Sequence, residues 1–422
     1  MFFIHCTMKK DDILISSRVY RLQSIDSNER YYIINSLTLR IFCLDKIPYD
    51  IFIFLQESKS IKDILLKFEQ IDESSITKLL EYLLKQEIIY HDDNEKDETF
   101  QIISKNETIF SLPKASLKDE NEQIIFVGIP FGGGNTISNY SQHASSILRK
   151  YIKQYKINFN IKNHIESLNR IFSFDINSKK LIQLIEKERI KDLGDLFYYG
   201  NESNSAYYGK INKISNYLFR NKNIPIFIGG DHSITYPILQ SANDNFNDIV
   251  VIHLDAHTDT YENEIDKIYN NNETIHHHGN FALFSMCLSN VIAFHQFGIR
   301  GLANIGIEEV SPKQNIYTIK ESKQIINGNR ELNLPKTANY YITIDVDVIS
   351  PYFISATATP VPNGLSINDI DILLTKLLKD KNIIGVDFVE FNNEKATNDT
   401  AIQVSIEILF LLLKNLITNV KI

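Results

Sequence analysis

The chain has 422 residues, 43% of them apolar and 23% charged. That length suits two globular domains, and a net charge of −8 argues against nucleic-acid binding through a general basic field. No run of 18 apolar residues marks a membrane span, and three scattered cysteines (Cys6, Cys43, Cys287) make neither a disulfide framework nor a zinc knuckle, so a soluble protein of the reducing cytoplasm is expected.

Residues 1–91 read as a small α+β domain. Val19–Gln23 and Tyr31–Ile34 have strand composition and flank the polar stretch Ser24–Arg30. Asp50–Gln56, Ile61–Phe68 and Ser74–Gln86 carry apolar residues at helical spacing, with Ser60 and Ser74 as expected N-caps. Glu87–Tyr90 returns as a short strand. The order is that of a winged helix. Residues 92–121 are charged and poor in periodicity, which predicts a linker with one short strand at Thr108–Leu112.

The texture changes at residue 122. Apolar runs of strand length at Gln123–Pro130, Ile224–Gly230, Ile249–Leu254, Val291–Ile299, Tyr340–Ile344 and Ile383–Val389 alternate with helical segments. Uninterrupted apolar strands are buried on both faces, which predicts a parallel sheet covered by helices. Ligands in such folds gather at the carboxyl ends of strands, and that is where the charged residues fall.

Three clusters stand there. Gly229-Gly230-Asp231-His232-Ser233 follows one strand, its glycines read as permitting a tight turn. Asp255-Ala-His257-Thr-Asp259 follows the next. In an extended segment, alternate residues would project Asp255, His257 and Asp259 to one face. Asp345-Val-Asp347 follows a third. Two imidazoles and four carboxylates form an oxygen-rich set that would repel itself without a cation. Six ligand candidates suit two divalent ions, and the hard donors favour two Mn2+.

These motifs, with Thr343–Ser366 and Val386–Glu390, resemble the ureohydrolase family, which includes arginase, agmatinase and formiminoglutamase. The resemblance runs from about Glu122 to the C-terminus, and takes in Asp192-Leu-Gly-Asp195. It implies a three-layer α/β/α domain over residues 122–422, a binuclear manganese centre, and hydrolysis of a guanidino group to urea and an amine. By position, the more exposed metal would take His232, Asp255, Asp259 and Asp345. The second would take His257, Asp255, Asp345 and Asp347, with Asp255 and Asp345 shared. Glu390 matches the glutamate that receives the guanidinium, Asp259 the carboxylate that orients the nucleophile, and His278 of His276-His277-His278-Gly279 the proton shuttle. His276 and His277 are either sharers of that role or exposed bystanders.

The chain departs from the family in places. Asn272–Gly279 lacks the Ser-Gly-Asn-x-His-Gly grip on a free amino acid's carboxylate, Gly298-Ile-Arg300-Gly301 is nearer the agmatinase type, Ser350 replaces a common Asp, and Asn392-Asn393 replaces a common Pro.

Residues 10–91 resemble the peptide-recognition domain of the PQQ-synthesis-D type, through Val19–Leu22, Arg30–Asn35, Arg40–Asp45 and the apolar pattern of Leu79–Ile89. In that family a leader peptide adds as a strand beside the wing. The combined expectation is an enzyme that holds an arginine-containing precursor peptide by its leader and converts arginine to ornithine, with homo-oligomers implied by the larger domain's family. The rivals are a small-molecule guanidino hydrolase of agmatinase or arginase type, and a non-catalytic peptide-binding protein with a degenerate metal domain. A single-zinc deacetylase-type enzyme shares the broad architecture but is disfavoured by Asp259, Asp347 and Glu390 together.

Overall fold

The computed structural model describes residues 10, 13–16, 20–25, 30–35, 41–55, 59–86, 88–91, 102–103, 107–117, 123–135, 138–198, 204–261, 276–395 and 399–420. The polar turn at 26–29, most of 92–106 and the segment 262–275, with the first four residues of Asn272–Gly279, lie outside the described residues. The chain divides into two compact units, Met1–Thr99 with Tyr198–Ser203, and Phe100–Phe197 with Asn204–Ile422.

The first unit has six strands and three helices among its described residues. Strands β2 (Tyr20–Ile25), β3 (Tyr31–Asn35) and β4 (Ile41–Leu44) form an antiparallel sheet with β4 at one edge. Strands β1 (Ile13–Ser16), β5 (Lys59–Ser60) and β6 (Ile89–His91) form a second, with β1 central. Helix α1 (Lys46–Phe54) begins four residues before the apolar periodicity, because Pro48 is tolerated in a first turn. Ser60 caps α2 (Ile61–Lys67) through a reciprocal box with Asp63. Helix α3 (Glu73–Lys85) is capped by Asp72, not Ser74, since the Asp72 carboxylate accepts the Ser75 N–H at 2.9 Å. Ile33, Phe42, Leu44, Ile51, Ile64, Ile76, Leu80 and Leu83 close a core between these elements.

The second unit is built on one nine-stranded sheet. Its strands are β7 (Ile102–Ile103), β8 (Ile124–Gly128), β9 (Ile190–Leu196), β10 (Ile224–Ile228), β11 (Ile249–Leu254), β12 (Val291–Ile299), β13 (Gln314–Thr318), β14 (Asn339–Asp345) and β15 (Asn382–Val389). The order is β13-β12-β11-β14-β15-β10-β8-β9-β7, parallel throughout except for β7 against β9. Helices fall into two groups, each packed within itself. One holds α7 (Asn204–Arg220), α8 (Thr235–Asn245) and α9 (Phe281–Met286). The other holds α4 (Ala144–Gln154), α10 (Ile319–Ile326), α11 (Ile367–Leu378) and α12 (Thr400–Asn419). Helices α5 (Lys162–Ile171) and α6 (Ser178–Glu186) pack on each other. This is the α/β class, a mostly parallel sheet with helices, that the apolar strands predicted. Helix α12 has a mean hydropathy of 1.7 over Thr400–Thr418, and 78% of it is buried, so its apolarity serves the core.

Thr108–Leu112 is not a strand. Phe110 and Ser111 take φ of 51° and 57°, and Asp192 accepts the Ile109 N–H at 2.7 Å, which turns the segment instead. Asp192 also pairs with the buried Arg149, whose other branch meets Asp195, tying α4 to β9. The consequence for function is positional: β11, β14, β15 and β10 are consecutive in the sheet, so their carboxyl ends open side by side.

Candidate metal centre

His232 opens a short 3-10 turn directly after β10 and is fully buried. The two glycines before it are needed for close approach, not for a left-handed turn. A Cβ on Gly229 would lie 2.6 Å from Ile234 Cδ1 and 2.8 Å from Val389 Cγ1. Around His232 Nδ1 stand Asp255 Oδ2 at 3.2 Å, Asp259 Oδ2 at 3.1 Å and Asp345 Oδ2 at 3.3 Å. Yet Nδ1 has no hydrogen-bond partner.

A second focus lies beside it. His257 Nδ1 is 3.0 Å from Asp347 Oδ2 and 3.5 Å from Asp255 Oδ1. Asp255 therefore turns one oxygen to each imidazole. Asp345 gives Oδ2 to the first focus, while its Oδ1 accepts the Asp347 N–H at 2.8 Å. All six candidates from the sequence thus meet at three strand ends. The His257 side chain is 15% exposed and the His232 side chain 1%, whereas Asp259 is 9% exposed and Asp347 0%, so neither focus is the more enclosed throughout. The route to convergence also differs from an extended segment. Strand β11 ends at Leu254, and Asp259 reaches the cluster from a left-handed backbone of φ 49°.

The electrostatics are those of a site built for cations. Burial, then Asp347 and Asp255, drives the Asp345 carboxyl far above its usual range, and burial with Asp255 lifts Asp347 to about 6. Burial works against a charged His232, but the three carboxylates facing it override that and raise its pKa strongly. Crowded buried carboxylates around an imidazole lone pair are costly unless a positive charge sits among them. The donor set, imidazole nitrogens with carboxylate oxygens, suits Mn2+-like divalent ions.

Hydrogen bonding fixes the His232 tautomer. Asp387 accepts from Tyr341 Oη at 2.7 Å, Thr235 Oγ1 at 3.0 Å and Thr343 Oγ1 at 2.5 Å. Thr343 spends its proton on Asp387, so at 2.8 Å it accepts from His232 Nε2–H. The Nδ1 lone pair is thereby aimed at the carboxylates. His253, which sequence reasoning passed over, is fixed likewise. Gln296 Nε2 donates to Thr258 O at 2.6 Å and to His253 Nδ1 at 2.9 Å, leaving His253 Nε2–H to donate to Asp255 Oδ2 at 2.8 Å. His253 is near enough to join a ligand set, but its facing nitrogen carries a proton. Gln296, His253, Thr343 and Asp387 are register partners across β12, β11, β14 and β15, a fully buried polar row beneath the cluster.

Other supports were also unforeseen. Arg300 donates to the carbonyls of Pro362, Gly298, Asp347 and Val361 at 2.9, 3.1, 2.6 and 2.9 Å, bracing the Asp347 turn. Thr359 Oγ1 donates to Asp347 Oδ2 at 3.3 Å.

Glu390 directly follows β15 with a left-handed φ of 61° and is buried. Its Oε1 accepts the His232 backbone N–H at 3.0 Å and lies 3.3 Å from His278 Nδ1. Its Oε2 accepts from Asn135 Nδ2 at 2.9 Å. Burial lowers the His278 pKa, but Glu390, Asp231 and Asp259 outweigh it and hold the ring at about 9. The neighbouring histidines are not exposed bystanders. His276 is wedged among Tyr208, Tyr236 and Phe284, and burial drops it to about 3. His277 Nδ1 accepts the Gly279 N–H at 3.1 Å and so shapes the turn.

Residues 122–413 match the family described as the arginase family. An agmatinase of Salmonella dublin is 26% identical over 306 residues, covering 69% of this chain and 88% of its own. Among solved structures, proclavaminate amidino hydrolase from Streptomyces clavuligerus superposes with a TM-score of 0.58 at 21% identity, over 75% of this chain and 99% of that one. The agmatine ureohydrolase of Thermoplasma volcanium gives 0.52 at 20%, over 75% and 95%. These two likenesses concern the fold.

Proposed function

The chain belongs to the arginase family, and on that premise we propose that it hydrolyses the guanidino group of an arginine held in a precursor peptide, leaving ornithine. As a family member it is a hydrolase of amidine C–N bonds. Water adds to the guanidinium carbon, the bond to the side-chain nitrogen breaks, and urea departs from a protonated amine.

Two divalent ions, Mn2+ in our reading, would be held by His232, Asp255, Asp259, Asp345, His257 and Asp347, and when bound they lower the pKa of water enough to supply a nucleophile at neutral pH. The remaining work belongs to the chain. The buried Glu390 carboxylate pairs with the planar cation. The Asp259 carboxylate, at the edge of the cluster, accepts a hydrogen bond from the attacking water and orients it. His278, kept protonated at neutral pH, gives its proton to the amine, which leaves only once protonated.

One observation supports a peptide as the substrate. In the first unit, β4 is the edge of its sheet among the described residues, and Ile41 on it is 52% exposed. Where β4 ends, a groove of about 390 Å³ runs between Asp45–Pro48 and Ile71, Ser75, Ile76 and Leu79 of the α3 region. A strand edge beside an apolar groove suits an added strand whose alternate side chains need pockets. Tethering raises the local concentration of the arginine, so its own pocket can be weak.

The agmatinase relatives favour a second reading, a small guanidino substrate with no leader. Urea release by the full-length protein with Mn2+ separates the two. The peptide reading expects an arginine-bearing precursor to exceed agmatine in kcat/KM by roughly 100-fold, and Leu79→Glu to raise KM for the peptide alone. Agmatine turnover equal to or above that of the peptide would overturn it.

A further inference from the structure

We propose that Asn135 is a positioning residue that sets the Glu390 carboxylate for guanidinium binding and thereby governs substrate affinity. This rests on Glu390 receiving the guanidinium, as argued above. Asn135 lies on the loop after β8, outside the motifs on which the family resemblance was read.

The amide orientation is determined by its partners. Asn135 Oδ1 accepts the Ser138 N–H at 2.9 Å, so the other end of the amide, Nδ2, must face Glu390. Ser138 is held in turn by Asn392, whose Nδ2 donates to Ser138 Oγ at 3.0 Å.

The loop is anchored to the site on its other side as well. The Gly134 N–H donates to Asp231 Oδ2 at 2.8 Å, and the Gly134 carbonyl accepts the His278 N–H at 3.0 Å. A Cβ at Gly134 would lie 2.8 Å from Asp231 Oδ1 and collide with Ser233 Oγ, so only glycine brings the loop this close. Residues 134 and 135 thus touch the turn before His232, the loop of His278, and Glu390.

The two Glu390 oxygens are used unequally. Oε1 already meets His232 N–H and His278, whereas Oε2 has Asn135. A bidentate pair with a guanidinium needs the carboxylate plane held in one orientation. His232 N–H fixes one oxygen and Asn135 the other, and removing Asn135 frees the plane to rotate about the remaining contact. The loss falls on binding more than on chemistry, because the Asn135 amide bonds the carboxylate that receives the substrate.

The test uses the full-length protein. Asn135→Ala should raise KM for the guanidino substrate about tenfold while kcat stays within about threefold. Asn392→Ala, which releases Ser138 without touching Glu390, should move KM in the same direction by a smaller factor. Mn2+ content and thermal unfolding should match wild type in both. Agmatine titrated calorimetrically into metal-free protein reads the same affinity ratio without turnover. Wild-type KM in Asn135→Ala, or an unchanged agmatine affinity, would overturn the proposal. So would parallel loss of kcat, metal and stability, which is the mark of a merely structural residue. A wild-type protein that binds agmatine but releases urea from no guanidino compound would sink the hydrolase reading instead, and leave the affinity comparison standing.

Discussion

His278 Nδ1 and Glu390 Oε1 lie 3.3 Å apart, so the group proposed to give up a proton rests against the group proposed to hold the substrate. The contact helps hold the His278 pKa at about 9 against the pull of burial. Glu390→Gln should lower it by at least about one unit, read by a histidine ring NMR titration of metal-free protein. The sign for stability follows from linkage. A pKa raised above the ordinary 6.5 adds stability that is complete below about 6.5 and is lost as pH rises through about 9. The stability difference between wild type and Glu390→Gln should shrink across that window in denaturation measured pH by pH.

Thr343 joins His232 to Asp387, and its hydroxyl is what turns the imidazole lone pair toward the carboxylates. Thr343→Val keeps the shape and removes the hydroxyl. Mn2+ affinity should fall about 10- to 100-fold, followed by the spectrum of free Mn2+ in an electron paramagnetic resonance titration. Thr343→Ser should bind within about threefold of wild type. Equal affinity for Val and Thr would show that the tautomer is set elsewhere.

Asp255 divides its oxygens between the two foci. Asp255→Ala should therefore remove both ions, taking the metal content from about two per chain to well under one. Elemental analysis after dialysis measures this. Retention of one tightly bound ion would mean the two foci are independent.

Arg300 braces the turn that carries Asp347 by donating to five carbonyls, Ile349 O at 3.5 Å among them. Arg300→Met leaves those acceptors unpaired and should cost about 2–4 kcal/mol of stability in urea denaturation. Arg300→Lys should recover less than half, because a single ammonium cannot reproduce the fork.

The sheet and the ligand candidates were legible because each is written locally. An apolar run such as Ile249–Ile252 can only be a buried strand or helix, and Asp255, His257 and Asp259 come just after it. The polar row beneath them was not legible. His253, Thr343 and Asp387 look like isolated polar residues inside apolar strands, and they acquire meaning only when strand register sets them side by side. The left-handed turn at Asp259 was hidden for the same reason, since alternation suggested an extended segment. Thr108–Leu112 failed as a strand because a carboxylate 83 residues away claims its backbone. Asn135 gave no signal at all: its role depends on Glu390, which is 255 residues distant.

Asp259 and Glu390 share an uncommon condition, a carboxylate on a residue with φ of 49° and 61°. Glycine would occupy either backbone more comfortably. Directed evolution that selects only for heat resistance would therefore be drawn to glycine at 259 and 390, and would enrich sturdier proteins that have been disarmed. Variants recovered that way should melt later yet turn over nothing, so any thermostabilising library for this enzyme has to leave those two codons untouched.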